Sequence, residues 1–270
     1  MLFERLKYAV ASVVKRNPTT WSLVWERMPH WPLLLPHERS YLGFRQLATR
    51  KEGLFLDVGA NNGISAAGFR KLNTRYGILS IEADPSHRAS LERLRSRISG
   101  FDYRIIAAGD VRETLTLYTP VYRGTAIHTH TSADLDYLKV SVARDFPRQS
   151  SAVVYAEQRV EVVPLDDLEL RPDIIKIDVE GRDAAVLRGL ERTIATHLPY
   201  ILLEYTPEFT RESERWLRER GYRFYVYDFR MDGFLSFVEE RETRSWNVQH
   251  LQVNLFCIAG ERREFEKRRS

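Results

Sequence analysis

The chain has 270 residues, 43% of them hydrophobic and 29% charged, which fits one large globular α/β domain and argues against disorder. Its 41 Lys and Arg against 37 acids leave a net charge of +4, too small an excess to argue for nucleic acid, and no stripe of basic residues interleaved with aromatics stands out. The one cysteine, Cys257, excludes an intrachain disulfide and a cysteine-based zinc site, and fits a reducing compartment.

Residues 1–50 read as a helical arm. Leu2, Phe3, Leu6, Ala9, Val10, Val13 and Val14 recur at helical spacing, with Glu4, Arg5, Lys7 and Lys15 opposite. Such a helix docks on the domain or lies on a membrane surface. Arg5 and Lys7 interrupt any signal-peptide core, and no apolar run approaches the ~20 residues that cross a bilayer. The expected location is cytoplasmic, peripheral to the inner face of a membrane if this helix binds lipid. Asn17-Pro18 is expected to end the helix. Trp21, Trp25 and Trp31, with Pro29, Pro32 and Pro36, then suggest an irregular arm before a short helix near 38–49.

Residues 51–260 form the main domain, followed by a charged tail at 261–270. GLFLDVGA, YGILSIEAD and DYRIIAAGD read as strands, separated by helices NGISAAGFRKL and PSHRASLERLRSRI. An insertion at 111–163 breaks this rhythm with short β-like runs, TAIHTHT among them. DIIKIDVEG and PYILLEYTP resume the strands, each followed by a helix, and GYRFYVYDF and VNLFCIAG close the domain without a helix between them. Alternating strands and helices imply a parallel sheet. A terminal helix-free pair has to be antiparallel, since a parallel pair needs a long crossover.

The first strand ends in Asp57-Val58-Gly59-Ala60-Asn61-Asn62-Gly63. In open α/β sheets ligands bind outside the carboxyl ends of strands. Gly59 and Gly63 let the backbone approach a ligand, Asn61 or Asn62 can cap the next helix, and that helix start favours an anion. The run G-A-N-N-G lacks the G-x-G-x-x-G of dinucleotide sites and the G-K-[ST] of phosphate loops. Glu82 ends the second strand, followed by Ala83, where an acid suits ribose hydroxyls; Asp84 before Pro85 suits a helix cap better. Ala107, Ala108 and Gly109 at the third strand leave room for a base, and Asp110 can meet its amino group or form an ordinary turn.

The strings GLFLDVGANNGISAAGFRKL, SIEADP, PLDDL, PDIIKIDVEGRDAAVLRGL and ILLEY resemble the FkbM family of S-adenosylmethionine-dependent methyltransferases over roughly residues 40–205. The resemblance implies a class I methyltransferase Rossmann-like fold, a seven-stranded mostly parallel sheet with an antiparallel last strand. It also implies S-adenosyl-L-methionine as cofactor and methyl transfer to a hydroxyl of a sugar, glycan or secondary metabolite. Asp57 would then accept from the methionine ammonium or fix the turn. The resemblance thins at 111–163, in the arm and after 210, the parts that would shape an acceptor pocket.

In KIDVEG, period 2 puts Lys176, Asp178 and Glu180 on one face. Lys176 is expected to be buried and paired with Asp178 or Asp57. A hydroxyl acceptor has to lose a proton, so Asp178 is the first candidate for base, with Glu180 orienting the acceptor and Glu204 beside them. His128 and His130 alternate in TAIHTHT and can face the same cleft, but this pattern is common on strands and no metal is expected. His87 reads as a solvated helix residue. Nitrogen methylation, or aminopropyl transfer by another S-adenosylmethionine-fold transferase, is the runner-up; nitrogen methylation is disfavoured because Asp178-Val179-Glu180-Gly181 stands where a [DN]-P-P-[YFW] run would, and a cofactor-binding protein without catalysis is the third reading.

Overall fold

Asn17 starts a helix. Its side-chain oxygen accepts from the amides of Thr19 (3.0 Å) and Thr20 (3.4 Å). Pro18 takes the first helical position, where no amide is missed. The result is α1 (Pro18–Arg27), in place of the irregular arm that the tryptophans and prolines suggest. The computed structural model describes residues 17–30, 36–205, 210–237 and 253–261. The apolar stripe at 2–15 with its membrane contact, Trp31, Pro32 and the tail from 262 lie outside the described residues. A turn over Arg39–Gly43 and α2 (Phe44–Leu47) carry Tyr41, Phe44 and Leu47 into the core.

The expected alternation follows as β1 (Leu54–Val58), α3 (Ile64–Leu72), β2 (Gly77–Glu82), α4 (Arg88–Arg95) and β3 (Phe101–Ile105). The insertion holds β4 (Ala107–Ala108), β5 (Glu113–Tyr122), β6 (Thr125–Ala126), α5 (Leu135–Asp145) and β7 (Val153–Val163). The rest is β8 (Ile174–Ile177), α6 (Asp183–Arg188), α7 (Glu191–His197), β9 (Tyr200–Tyr205), α8 (Thr210–Glu219), β10 (Tyr222–Asp228), β11 (Gly233–Ser236) and β12 (Val253–Ala259).

The main sheet runs β11-β10-β12-β9-β8-β1-β2-β3, with β12 antiparallel to both of its neighbours. It has eight strands, not seven. The extra one is β11, which returns along β10 in the register Asp228↔Gly233 to Tyr225↔Ser236. Asp232, at φ 48°, and Gly233 supply the hairpin turn chemistry that reading 221–229 as a lone strand leaves out. Strand order reverses about β1, so the crevice at the carboxyl ends of β1 and β8 is the switch point where ligands bind. Phe55 and Leu56 are successive and both fully buried, so β1 is covered on both faces. Phe55 stacks on Phe69 with ring centroids 4.1 Å apart, and its burial contributes on the order of 1.5–3 kcal/mol.

Three other expectations change. DYRIIAAGD is not one strand: the Ile106 amide donates to Glu82 O (2.9 Å), and Ala107-Ala108 leave to pair with β7 in a second sheet, β4-β7-β5-β6. DIIKIDVEG leaves the sheet after Ile177, and Glu180 and Gly181 are left-handed (φ 50° and 95°), so a turn rather than strand alternation aims the acids beyond Lys176. TAIHTHT contributes two residues to β6 and then forms a 3₁₀ turn at His128–His130, so the two histidines do not alternate on a strand. The insertion has its own apolar cluster of Ile127, Leu138, Val142 and Phe146, and Trp21 of α1 packs into it.

Candidate active site

The turn after β1 is built from backbone contacts that leave no space for side chains. Gly59 has φ +77°, and a Cβ there would lie 1.8 Å from the Asp178 carbonyl oxygen. The Gly59 and Ala60 amides both donate to Ile81 O (2.9 and 3.1 Å), which pins the turn to β2. Asn62 caps α3 by accepting from the Ile64 amide (3.2 Å), and Asn61 (φ 50°) accepts from the Asn62 amide (2.8 Å). Asp57 is fully buried and accepts from the hydroxyls of Ser65 (2.7 Å) and Ser80 (2.9 Å). Of its two expected roles this geometry fits fixing the turn, through hydroxyls instead of amides.

Glu82 accepts from the Asn61 amide at one carboxylate oxygen (2.6 Å) and from the Asp84 amide at the other (2.7 Å). Burial pushes its carboxyl up to about 7 despite these bonds. Ala83 and Ala108 are half-buried. Asp110 is engaged by Arg188 (2.8 Å), which holds its carboxyl below the usual carboxylate range.

Beside the turn, Lys176 is buried as expected and meets both candidate partners, Asp178 at 3.3 Å and Asp57 at 3.6 Å. It also donates to Gly59 O (2.7 Å), so one cation ties the ends of β1 and β8 together. Burial would strip its proton, but the two carboxylates outweigh burial and raise it above the usual lysine value. Asp178, Glu180 and Glu204 converge, each offering a carboxylate oxygen within 4.8 Å of the others. Burial raises Glu204 well above the usual range, and the charges of Asp178 and Glu180 raise it further. Burial acts against ionised Asp178 too, but Lys176 and a hydrogen bond from Glu204 win and hold its carboxyl low. Glu180 is pushed up to about 7 by burial and by Asp178.

The insertion completes this cluster. The Tyr137 hydroxyl of α5 donates to Glu180 Oε2 (2.5 Å), and Ser132 Oγ donates to the Glu180 carbonyl (3.3 Å). No spacing signal marks Tyr137, because its partner is 43 residues away. Glu38, which accepts from Asn254 and Ser40, also acts electrostatically on Glu204 and was equally invisible.

The histidines go elsewhere. His128 Nδ1 faces Asp84 Oδ2 (2.9 Å) and Ser86 Oγ (3.0 Å), and its carbonyl accepts from Asn61 Nδ2 (3.2 Å). It therefore stands over the turn after β1 and not among the acids. His130 Nε2 meets Asp145 (3.0 Å). His87 is 5% exposed, not solvated; burial pushes its imidazole down to about 4. Asp84 caps the turn after β2 by accepting from the Ser86 amide (2.9 Å), as its place before Pro85 suggests. Trp25 of α1 also reaches the cofactor turn: its indole N–H donates to Asn61 Oδ1 (3.0 Å) and its carbonyl accepts from Asn62 Nδ2 (2.6 Å).

Residues 57–224 match the family described as Methyltransferase FkbM domain. The chain belongs to the FkbM methyltransferase family. The FkbM domain shares its fold with a solved methyltransferase. The crystal structure of methyltransferase FkbM from Methylobacillus flagellatus KT aligns over 94% of this chain and 59% of that one, at 16% identity and a TM-score of 0.50. The chain thus spans about three fifths of that relative's length. Aeropyrum pernix fibrillarin, solved with natively bound S-adenosyl-L-methionine, aligns over 84% and 86%, at 11% identity and a TM-score of 0.41. A SAM-dependent O-methyltransferase from Thermotoga maritima aligns over 86% and 69%, at 10% identity and a TM-score of 0.41. No curated protein matches the chain significantly. The FkbM turn fits the methyl donor. Each Glu82 oxygen spends one lone pair on an amide and keeps another free to accept a further hydrogen bond. Gly59 and Gly63 carry no side chain over the turn, and both have positive φ.

Proposed function

We propose that this FkbM-family protein methylates a hydroxyl oxygen on a sugar, glycan or secondary-metabolite alcohol. The observation that carries the reading is the Glu180 carboxyl, half-buried beside the cofactor turn, bonded by Tyr137 and poised at about 7. A hydroxyl loses its proton as its oxygen attacks, and a base with a pKa near the working pH serves that step best. S-adenosylmethionine supplies a methyl on a sulfonium, an electrophile that needs no further activation. Glu180 takes the acceptor proton. Asp178, whose carboxyl Lys176 holds low, accepts from the acceptor and orients it, while Glu204, whose burial favours its neutral form, hydrogen-bonds Asp178. The base role thus passes from Asp178 to Glu180, because a carboxyl held low by a lysine is the weaker base.

On the donor side Glu82 accepts from the ribose hydroxyls, the turn from Gly59 to Gly63 receives the methionine moiety, and Ala83 and Ala108 border the adenine. Among the described residues no helix is long and apolar enough to cross a membrane. The test is a panel of sugar, polyol and amine acceptors with S-adenosylmethionine, following S-adenosylhomocysteine release and locating the methyl by mass spectrometry. A methyl ether supports the reading. A product methylated only on nitrogen overturns it in favour of an amine acceptor, which four neighbouring acids would also attract.

A further inference from the structure

The turn after β2 and the 3₁₀ turn of the insertion bring together two histidines and an aspartate that methyl transfer does not use. Asp84, His87 and His128 each offer one ligand atom, all within 4.8 Å of one another. We propose that Asp84, His87 and His128 form a binding site for a divalent transition-metal ion of the zinc class, which ties the insertion to the cofactor turn.

The donor set decides the class of ion. Two imidazole nitrogens and one carboxylate oxygen suit zinc, cobalt or nickel, whereas magnesium and calcium prefer all-oxygen sites. The orientation of Asp84 fits a ligand. Oδ1 is spent on the Ser86 amide (2.9 Å), which leaves Oδ2 facing His128 Nδ1 at 2.9 Å. Two ligands on a tetrahedral ion with bonds of ~2.0–2.1 Å stand roughly 3.3 Å apart, so this pair is already at ligand spacing. Thr131 Oγ1 donates to the same oxygen (3.4 Å), the kind of outer bond that orients a ligating carboxylate.

His87 supplies the independent observation. A hydrogen bond between Asp84 and His128 needs no third residue, yet His87 is 95% buried against them, its ring 5.5 Å from that of His128. His128 is the most exposed of the three, with 23% of its side chain open, which leaves an entry path and an open fourth position. Since the His128 carbonyl accepts from Asn61 and the Asp84 amide donates to Glu82, an ion here would brace the groups that line the cofactor turn.

The test needs no acceptor. Untagged full-length protein is stripped with a chelator and titrated with zinc by calorimetry and with cobalt by visible absorption. We expect one equivalent per chain, with the intense visible bands of low-coordinate cobalt. His128→Ala, at the open side, should weaken binding at least about tenfold, since even outer bonds of metal ligands are worth that much. His87→Gln should do the same and is checked for folding by circular dichroism; His130→Ala should bind as the parent does. No binding at micromolar free zinc overturns the proposal, as does binding that both His87→Gln and His128→Ala leave unchanged. Loss of binding in Glu180→Gln with retention in His128→Ala also overturns it, because the ion would then sit at the carboxylate cluster.

Discussion

Two glutamates near 7, Glu82 and Glu180, are proposed for separate duties, and single substitutions test the division. Glu180→Gln keeps the shape and the Tyr137 contact but cannot take a proton. We expect affinity for S-adenosylhomocysteine within a few-fold of the parent and turnover lower by roughly 10²–10⁴, the usual range for a lost general base. The pH profile gives the sign. Glu180 works only when ionised, so kcat should rise with pH through about 7, and that limb should vanish in Glu180→Gln. Tyr137→Phe removes a bond that lowers the Glu180 carboxyl, so the limb should move to higher pH while donor affinity stays put. Glu82→Gln should instead cost ~2 kcal/mol in S-adenosylhomocysteine affinity, read by calorimetry, through loss of charge-assisted bonds to two hydroxyls. Unchanged affinity in a folded Glu82→Gln variant would move the ribose site. At this scale the sequence was informative where one strand sets the geometry. Lys176 had to be buried in DIIKIDVEG and had to find Asp57 or Asp178, and it found both. Tyr137 and Glu38 were hidden because only the folded chain brings them to the acids.

α1 is an element whose role the sequence obscured. Asn17-Pro18 is a stop signal after an apolar stripe and a start signal before three turns of helix, and the two readings use the same residues. What holds the helix after Pro18 is tertiary: Trp21 fills the insertion's cluster and Trp25 bonds the turn after β1 at both Asn61 and Asn62. Removal of residues 1–16 should therefore leave S-adenosylhomocysteine affinity within a few-fold, whereas removal through residue 27 should weaken it clearly. Trp25→Phe isolates one contact and should cost about 0.5–1.5 kcal/mol, the worth of one hydrogen bond. Equal affinity for the two truncations, measured by calorimetry on folded protein, would show that α1 does not brace the turn. The insertion was the least legible element for a related reason. Its long β5–β7 ladder pairs residues such as Glu113 and Val162, and neither strand carries the clean alternation that a one-sided core imposes.

Over the whole molecule, the order of motifs was enough to give the sheet, because each βα unit leaves its own apolar run and turn chemistry. The eighth strand was missed at Asp232-Gly233, and the partition of the third strand was missed after Ile106, whose amide makes the last hydrogen bond to Glu82 O before Ala107 turns to pair with β7. The position of β12 has a consequence for how the protein is made. This strand comes last in the sheet by sequence, yet it lies between β9 and β10, and among the described residues these two meet only through it. During synthesis the half-made sheet therefore carries two unpaired inner edges until residues 253–259 have cleared the ribosome. Edges of this kind are templates for pairing with other chains. A chain stopped at residue 252 should emerge as aggregate while one stopped at 261 stays soluble, a difference that a sedimentation assay on cell lysates would read. The nascent protein would thus depend on chaperones until residues 253–259 have been made, more than for any step before them.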